Sequence, residues 1–262
     1  MTGKIAASDN VMSMLNYSDT CISACFYGLF KDCTSLTVAP ELPATILADY
    51  CYDSMFNGCK NLVNAPELPA TTLCNYCYSY MFAGCTNLTE APKLPATTLG
   101  NRCYYGLFEN NTKLTIAPEL PATKLADSCY ENMFKNCTNL TSAPKLPATT
   151  LASKCYYCMF YGCTSLVNAP ELPATYLVNS CYSWMFYNCK KLNYIKVAFK
   201  TWGGNTSSWV NGVSSTGTFV APRELPIEFG NDRIPKGWQL PNHQYIIYPA
   251  NDTFYFNSKL NI

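Results

Sequence analysis

A single histidine, His243, stands among 262 residues, and charged residues make up only 13% of the chain, about half the globular average. One imidazole leaves little for acid–base chemistry, since histidine is the side chain that titrates near neutral pH. It sits between Asn242 and Gln244 with no repeated Asp or Cys partner, so no catalytic dyad is expected there. The 18 Lys+Arg against 17 Asp+Glu give a net charge of +1, too balanced for a protein held on nucleic acid by phosphate neutralisation. No apolar run reaches the roughly 18 residues of a membrane span, so direct membrane insertion is not expected. Met1 to Ile22 shows no basic segment followed by an apolar one, so no secretory leader is read at the start. The chain also lacks G-x-S-x-G, a Walker loop, H-E-x-x-H and any paired-carboxylate setting. An enzyme is therefore not expected, and neither is a metal or a cofactor.

What is present is repetition. Hydrophobic residues reach 48%, and a chain of this length buries roughly 70–75% of its unfolded surface, so a large core is expected. Cys25, Cys51, Cys77, Cys103, Cys129, Cys155 and Cys181 follow one another at 26-residue intervals without insertion or deletion. An aromatic residue follows each of them, from Phe26 and Tyr52 to Tyr182. Four positions after each Cys stands Leu or Met, then always Phe: Phe30, Phe56, Phe82, Phe108, Phe134, Phe160 and Phe186. A Leu column runs from Leu36 to Leu192, and units are joined by a nearly fixed A-P-x-L-P-A such as Ala39-Pro40-Glu41-Leu42-Pro43-Ala44. Fixed spacing of this kind is the mark of a solenoid.

Leu47, Cys51, Tyr52, Met55, Phe56 and Cys59 fall within about half the circumference at roughly 100° per residue, which predicts a buried helix face. Ser23, Asp49, Asn75, Asn101, Asp127, Ser153 and Asn179 stand where an N-cap belongs. Asp32, Gly58, Gly84, Asn110, Asn136, Gly162 and Asn188 stand where a left-handed residue ends a helix. Each unit is thus expected to carry a helix of about two turns and, as in Leu62–Val63–Asn64–Ala65, one short parallel strand before prolines break the ladder. The expected fold is an α/β leucine-rich-repeat solenoid of seven 26-residue units. At about 4.8 Å per strand it forms a curved rod roughly 30–35 Å long. Residues 1–24, with Ile5, Val11, Met12, Met14 and Leu15, are expected to cap it. Residues 25–193 form the solenoid and 194–262 a small β-rich closing module, with strands in Tyr194–Phe199, Tyr245–Tyr248 and Thr253–Phe256.

Thirteen of the sixteen Cys lie in two columns, the second being Cys33, Cys59, Cys85, Cys137, Cys163 and Cys189, with Asn111 in the sequence once instead. Disulfides between adjacent rungs about 5 Å apart are within reach. They would leave one of the seven first-column Cys alone and make equivalent units alternate, so packed thiols are the stronger expectation. The pairs Cys74/Cys77 and Cys155/Cys158 lie three rungs, or about 15 Å, apart and make no zinc site.

If the fixed columns build the core, the variable positions face out. Among them Tyr27, Tyr80, Tyr105, Tyr157, Tyr161, Trp184 and Tyr187 are aromatic and suited to stacking on sugar rings or anchoring a protein, or to shielding their neighbours. Glu41, Glu67, Lys93, Glu119, Lys145 and Glu171 form one column, readable as a solvated edge or as a charged ligand stripe.

With L-P-A-T-T-L-A-D-x-C-Y-x-x-M-F-x-G-C-T-N-L recurring from Cys25 to Leu192, the chain resembles the BspA-type leucine-rich repeats, and the tail around Trp209–Val213, Thr216–Val220 and Ile234–Trp238 resembles the module that closes such arrays. The resemblance implies a non-enzymatic interaction or adhesion module, at the cell surface or secreted, of the kind seen in gut Bacteroidetes and binding a host protein or glycan. It also leaves room for a phage virion or tail-associated receptor-binding protein, which needs no leader, and for a purely structural spacer.

Overall fold

The computed structural model describes residues 5–6, 9–15, 19–241, 245–247 and 254–256. His243, Tyr248 and Thr253, each included in a sequence-based expectation, lie outside them. Among the described residues there are three two-stranded pairings: β1 (Ile5–Ala6) with β2 (Leu36–Val38) and β3 (Tyr194–Lys196) with β4 (Thr218–Val220), both parallel, and β5 (Tyr245–Ile247) with β6 (Phe254–Phe256), antiparallel. Between β2 and β3 the strand track continues as single parallel bridges, Val38 to Asn64, Asn64 to Glu90, Ile116 to Ser142 and Asn168 to Tyr194. The ladder stays this short because a proline, which has no N–H to donate, follows two residues behind each bridge at Pro40, Pro66, Pro118 and Pro170.

The short helix expected in every unit does not form. Among the described residues there is no α-helix, and the stretch that should hold it is a ladder of overlapping turns. In the unit beginning at Tyr50, alternate amides close local turns: Asp53 N–H to Tyr50 O (3.2 Å), Met55 N–H to Tyr52 O (3.2 Å) and Asn57 N–H to Ser54 O (3.1 Å). The amides between them cross to the next unit: Tyr52 N–H to Cys77 O (3.0 Å), Ser54 N–H to Ser79 O (2.8 Å) and Phe56 N–H to Met81 O (2.9 Å). Every fourth residue is left-handed, with Tyr50 at φ 60°, Ser54 at 57° and Gly58 at 75°. A helix of two turns is marginal alone and leaves its terminal N–H groups orphaned. The turn ladder gives those amides partners on the neighbouring rung.

The helical reading erred for a numerical reason. The buried set Cys51, Tyr52, Met55, Phe56 and Cys59 repeats every four residues, and over eight residues a period of four drifts from one of 3.6 by only about 80°. The column read as helix ends is left-handed as expected, with Asp32, Asn110, Asn136 and Asn188 all near φ +60°. The column read as N-caps binds across units instead. Asp49 Oδ1 accepts from Asn75 N–H (2.8 Å), Asn75 Oδ1 from Asn101 N–H (2.9 Å), Asn101 Oδ1 from Asp127 N–H (3.1 Å) and Asp127 Oδ1 from Ser153 N–H (3.0 Å). Hydrogen bonds therefore join neighbouring rungs on the turn side as well as the strand side. The wedge that helices packing 8–10 Å apart would introduce on that side is missing from the described residues.

The core is a bundle of single-residue columns. Seven phenylalanines, Phe30 to Phe186, stack with ring centroids 5.6–5.9 Å apart and planes within 10°. Beside them Phe26 and six tyrosines from Tyr52 to Tyr182 stack at 5.5–5.9 Å. The Leu column and the first Cys column from Cys51 onward are fully buried. At the start, Val11 and Met12 reach the core, whereas Met14 is 64% exposed and does not cap as expected. Beyond β3 the rungs shorten but continue, with Phe186 N–H donating to Trp209 O (2.9 Å) and Val197 N–H to Val220 O (2.9 Å). Trp209 closes the aromatic columns, its ring 6.2 Å from Phe186 and 6.5 Å from Tyr182, its Nε1 donating to Arg233 O.

The sixteen cysteines are free thiols. Five thiols of the second column are bound alike: Cys59, Cys85, Cys137, Cys163 and Cys189 donate to the carbonyls of Phe30, Phe56, Phe108, Phe134 and Phe160 at 3.0–3.2 Å. Burial pushes Cys59, Cys129 and Cys137 up to about 12, which keeps them protonated and unreactive because the thiolate is the nucleophile. Brief treatment of the native protein with iodoacetamide at pH 8, read by peptide mass spectrometry, should label Cys33 first, since it alone is exposed, then the half-buried Cys25 and Cys74. The column thiols should react only on unfolding. Fast labelling at Cys103 or Cys129 would contradict this packing.

Candidate interaction surface

All six residues of the charged column, Glu41, Glu67, Lys93, Glu119, Lys145 and Glu171, are exposed on one proline-flanked edge. Shallow apolar grooves run beside it, one of about 490 Å³ between Pro92, Pro95, Pro118 and Pro121, another of about 260 Å³ between Pro40, Pro43, Pro66 and Pro69. The column ends in an ion pair, Lys196 Nζ to Glu171 Oε1 at 2.8 Å. Both partners are well exposed, and such a pair contributes little.

The aromatic candidates lie on the turn ladder. Tyr27 is exposed, while Tyr80, Tyr105, Tyr157, Tyr161, Trp184 and Tyr187 are half-buried. The structure draws most of them into two groups. Tyr80 and Tyr105 meet edge to face at 4.9 Å. Tyr161 lies flat on Tyr187 at 4.8 Å and 7°, with Trp184 4.9 Å from Tyr187 and the Lys135 ammonium 6.0 Å from the Tyr161 ring. Because units stack one rung apart, Tyr161 and Tyr187 cover one another's faces, and Tyr80 and Tyr105 pack edge to face. A sugar ring stacks on an aromatic face, and the Tyr161 ring already has its stacking partner in Tyr187.

Sequence reasoning missed a neighbouring feature. The column just before each first-column Cys holds Ala24, Tyr50, Tyr76, Arg102, Ser128, Lys154 and Ser180. With the Asn/Asp ladder beside it, it lines a polar groove of about 520 Å³ spanning several rungs. Tyr50 stacks on Tyr76 at 4.6 Å, and Arg102 donates from Nη1 to the Tyr76 hydroxyl at 3.0 Å. The Arg102 guanidinium lies 5.5 Å from the Tyr76 ring and 5.6 Å from that of Tyr105, so it joins the groove to the aromatic face. The signal in the sequence was the variety of residues at one phase, with Tyr50, Tyr76, Arg102 and Lys154 among them, hidden by reading the preceding column as helix caps.

Rungs of near-constant length, stacked through backbone bonds on two sides around continuous side-chain columns, define a solenoid repeat protein. The model of the BspA type leucine-rich repeat region matches residues 16–141 and 127–205, in six copies. The chain belongs to the BspA-type leucine-rich repeat family. No curated protein and no solved structure matches it.

Proposed function

We propose that this protein is a non-enzymatic interaction module, displayed at a cell surface or secreted, that adheres to a host glycan or protein through its polar groove. The observation that supports this is the division of labour among positions. Residues constant from unit to unit build the core, while the groove carries varied groups: Tyr50, Tyr76, Arg102, Asp127 and Lys154. Donors and acceptors of both charges repeated at rung spacing suit an elongated polar ligand better than a compact apolar one. Membership in a repeat family built to present surface agrees with this.

The test is a glycan and mucin array probed with the full chain and with a Tyr50→Ala/Arg102→Ala variant of matched melting temperature. A specific signal lost in the variant supports a glycan groove. A signal unchanged in the variant overturns the assignment of the groove. Silence on the array, followed by groove-dependent capture of one defined protein from host extract, assigns the same groove to a protein ligand.

A further inference from the structure

The charged edge matches itself. In each unit it is an extended segment whose residues alternate: Glu41, Pro43 and Thr45 are exposed while Leu42 and Ala44 are buried, and Lys93, Pro95 and Thr97 are exposed while Leu94 and Ala96 are buried. A period of two turns one side of such a segment into the core and the other out. Stacked units therefore present adjoining columns of charge, proline and threonine. The charges run Glu41, Glu67, Lys93, Glu119, Lys145, Glu171. Glu67, Lys93, Glu119 and Lys145 make no ion pair among the described residues, so their charges are open to a partner.

Laid antiparallel against a second copy, this column meets opposite charges. Lys93 of each copy faces Glu119 of the other, and Glu67 faces Lys145. At the ends Glu41 faces Glu171, whose charge is already balanced by Lys196 Nζ at 2.8 Å. Laid parallel in register, every position meets its own charge and is repelled. Slipping the antiparallel arrangement by one rung sets Lys93 against itself or against Lys145, so one register is selected. Its two-fold axis passes between Lys93 and Glu119, where the larger apolar groove lies, about 490 Å³ and lined by both of them with Pro95 and Pro121. The same operation matches a second column. Ile46 and Tyr176 stand at its two ends, 55% and 84% exposed, and come to face each other. Tyrosine, apolar in its ring and wet at its tip, suits the rim of an interface.

We infer that this edge is the interface of a two-fold homodimer, in which two antiparallel copies pair Lys93 with Glu119 across the axis. A closed two-fold assembly needs one patch complementary to itself, and the charged column is such a patch. The strip is about 24 Å long at strand spacing and about 16 Å wide from Glu41 to Ile46 in extended chain, on the order of 400 Å² on each copy. Stable complexes bury roughly 1,200 Å² or more in all, so the dimer is a weak, reversible one. Charges fix its register, and the prolines supply its apolar contact, since exposed ion pairs alone contribute little. The edge shares no residue with the polar groove, so this inference and the proposed ligand-binding role stand or fall separately.

The experiment is sedimentation equilibrium of the full chain from the micromolar to the millimolar range, where a monomer in equilibrium with a dimer is expected. Lys93→Glu and Glu119→Lys, each alone, set like charges on both sides of the axis and should weaken dimerisation by at least about tenfold. Both side chains are exposed, so either variant should melt with the parent. Mixed in equal amounts, the two variants should form a heterodimer as tight as the parent dimer, because each carries the charges the other lacks, and this rescue excludes a folding defect. The double variant Lys93→Glu/Glu119→Lys should also dimerise like the parent, although its column no longer alternates. A parent that stays monomeric throughout, single variants that dimerise unchanged, or a mixture or double variant no tighter than the single variants would each overturn the proposal.

Discussion

Replacing Phe82 by Ala is expected to cost about 3–5 kcal/mol of stability, the range for emptying a buried phenylalanine site. Phe82 is fully buried and lies between two rings of its own column, Phe56 at 5.7 Å and Phe108 at 5.9 Å. Truncation therefore leaves a void with aromatic floor and ceiling, and neither ring can close on it without breaking the backbone bonds Phe56 N–H to Met81 O and Phe82 N–H to Leu107 O. In a solenoid each unit is held only by its neighbours. The loss should thus split the chain's cooperativity, and urea unfolding followed by circular dichroism should show a broadened or two-step transition. A single transition shifted by less than about 1 kcal/mol, well under the usual cost of such a truncation, would mean that the column relaxes and that ring stacking does not hold the rungs.

Asn111→Cys should act in the opposite direction and raise stability by about 1–3 kcal/mol, the penalty attached to buried polar groups without partners. Asn111 occupies the second Cys column, is fully buried, and has both Oδ1 and Nδ2 unpaired. Its equivalents donate a thiol proton to a phenylalanine carbonyl 29 residues back, as Cys137 does to Phe108. Phe82 O, the matching acceptor for position 111, receives no side-chain donor among the described residues. A cysteine removes two orphaned atoms and supplies the missing donor in one step. Calorimetric melting of the variant beside the parent is the check, and an unchanged or lowered midpoint would show that the amide of Asn111 is satisfied in solution.

The sequence announced which residues stack, because the columns needed only counting. Cys51, Tyr52, Met55, Phe56 and Leu62 are all fully buried, as their fixed phase implied. It announced the left-handed column too, since Asp, Asn and Gly at one phase have few other uses. It did not announce where the amides of that stretch point. Short-range periodicity cannot separate a two-turn helix from a turn ladder when both repeat about every four residues. The difference lies in bonds between residues 25 apart, such as Ser54 N–H to Ser79 O, which leave no trace in local pattern. The groove was lost for the same reason: once Asp49 and Asn75 were read as caps, Tyr50 and Tyr76 beside them had no surface to line.

Backbone bonds that run along the stack also set how the molecule yields to force. Pulled from its two ends, each rung is loaded in tension by bonds that break one row at a time, as a zip fastener opens, and not by a whole sheet shearing at once. Each freed 26-residue unit releases roughly 90 Å of chain at the 3.3–3.6 Å per residue of an extended backbone. A rod made this way lets out length in even steps when its ends are pulled apart.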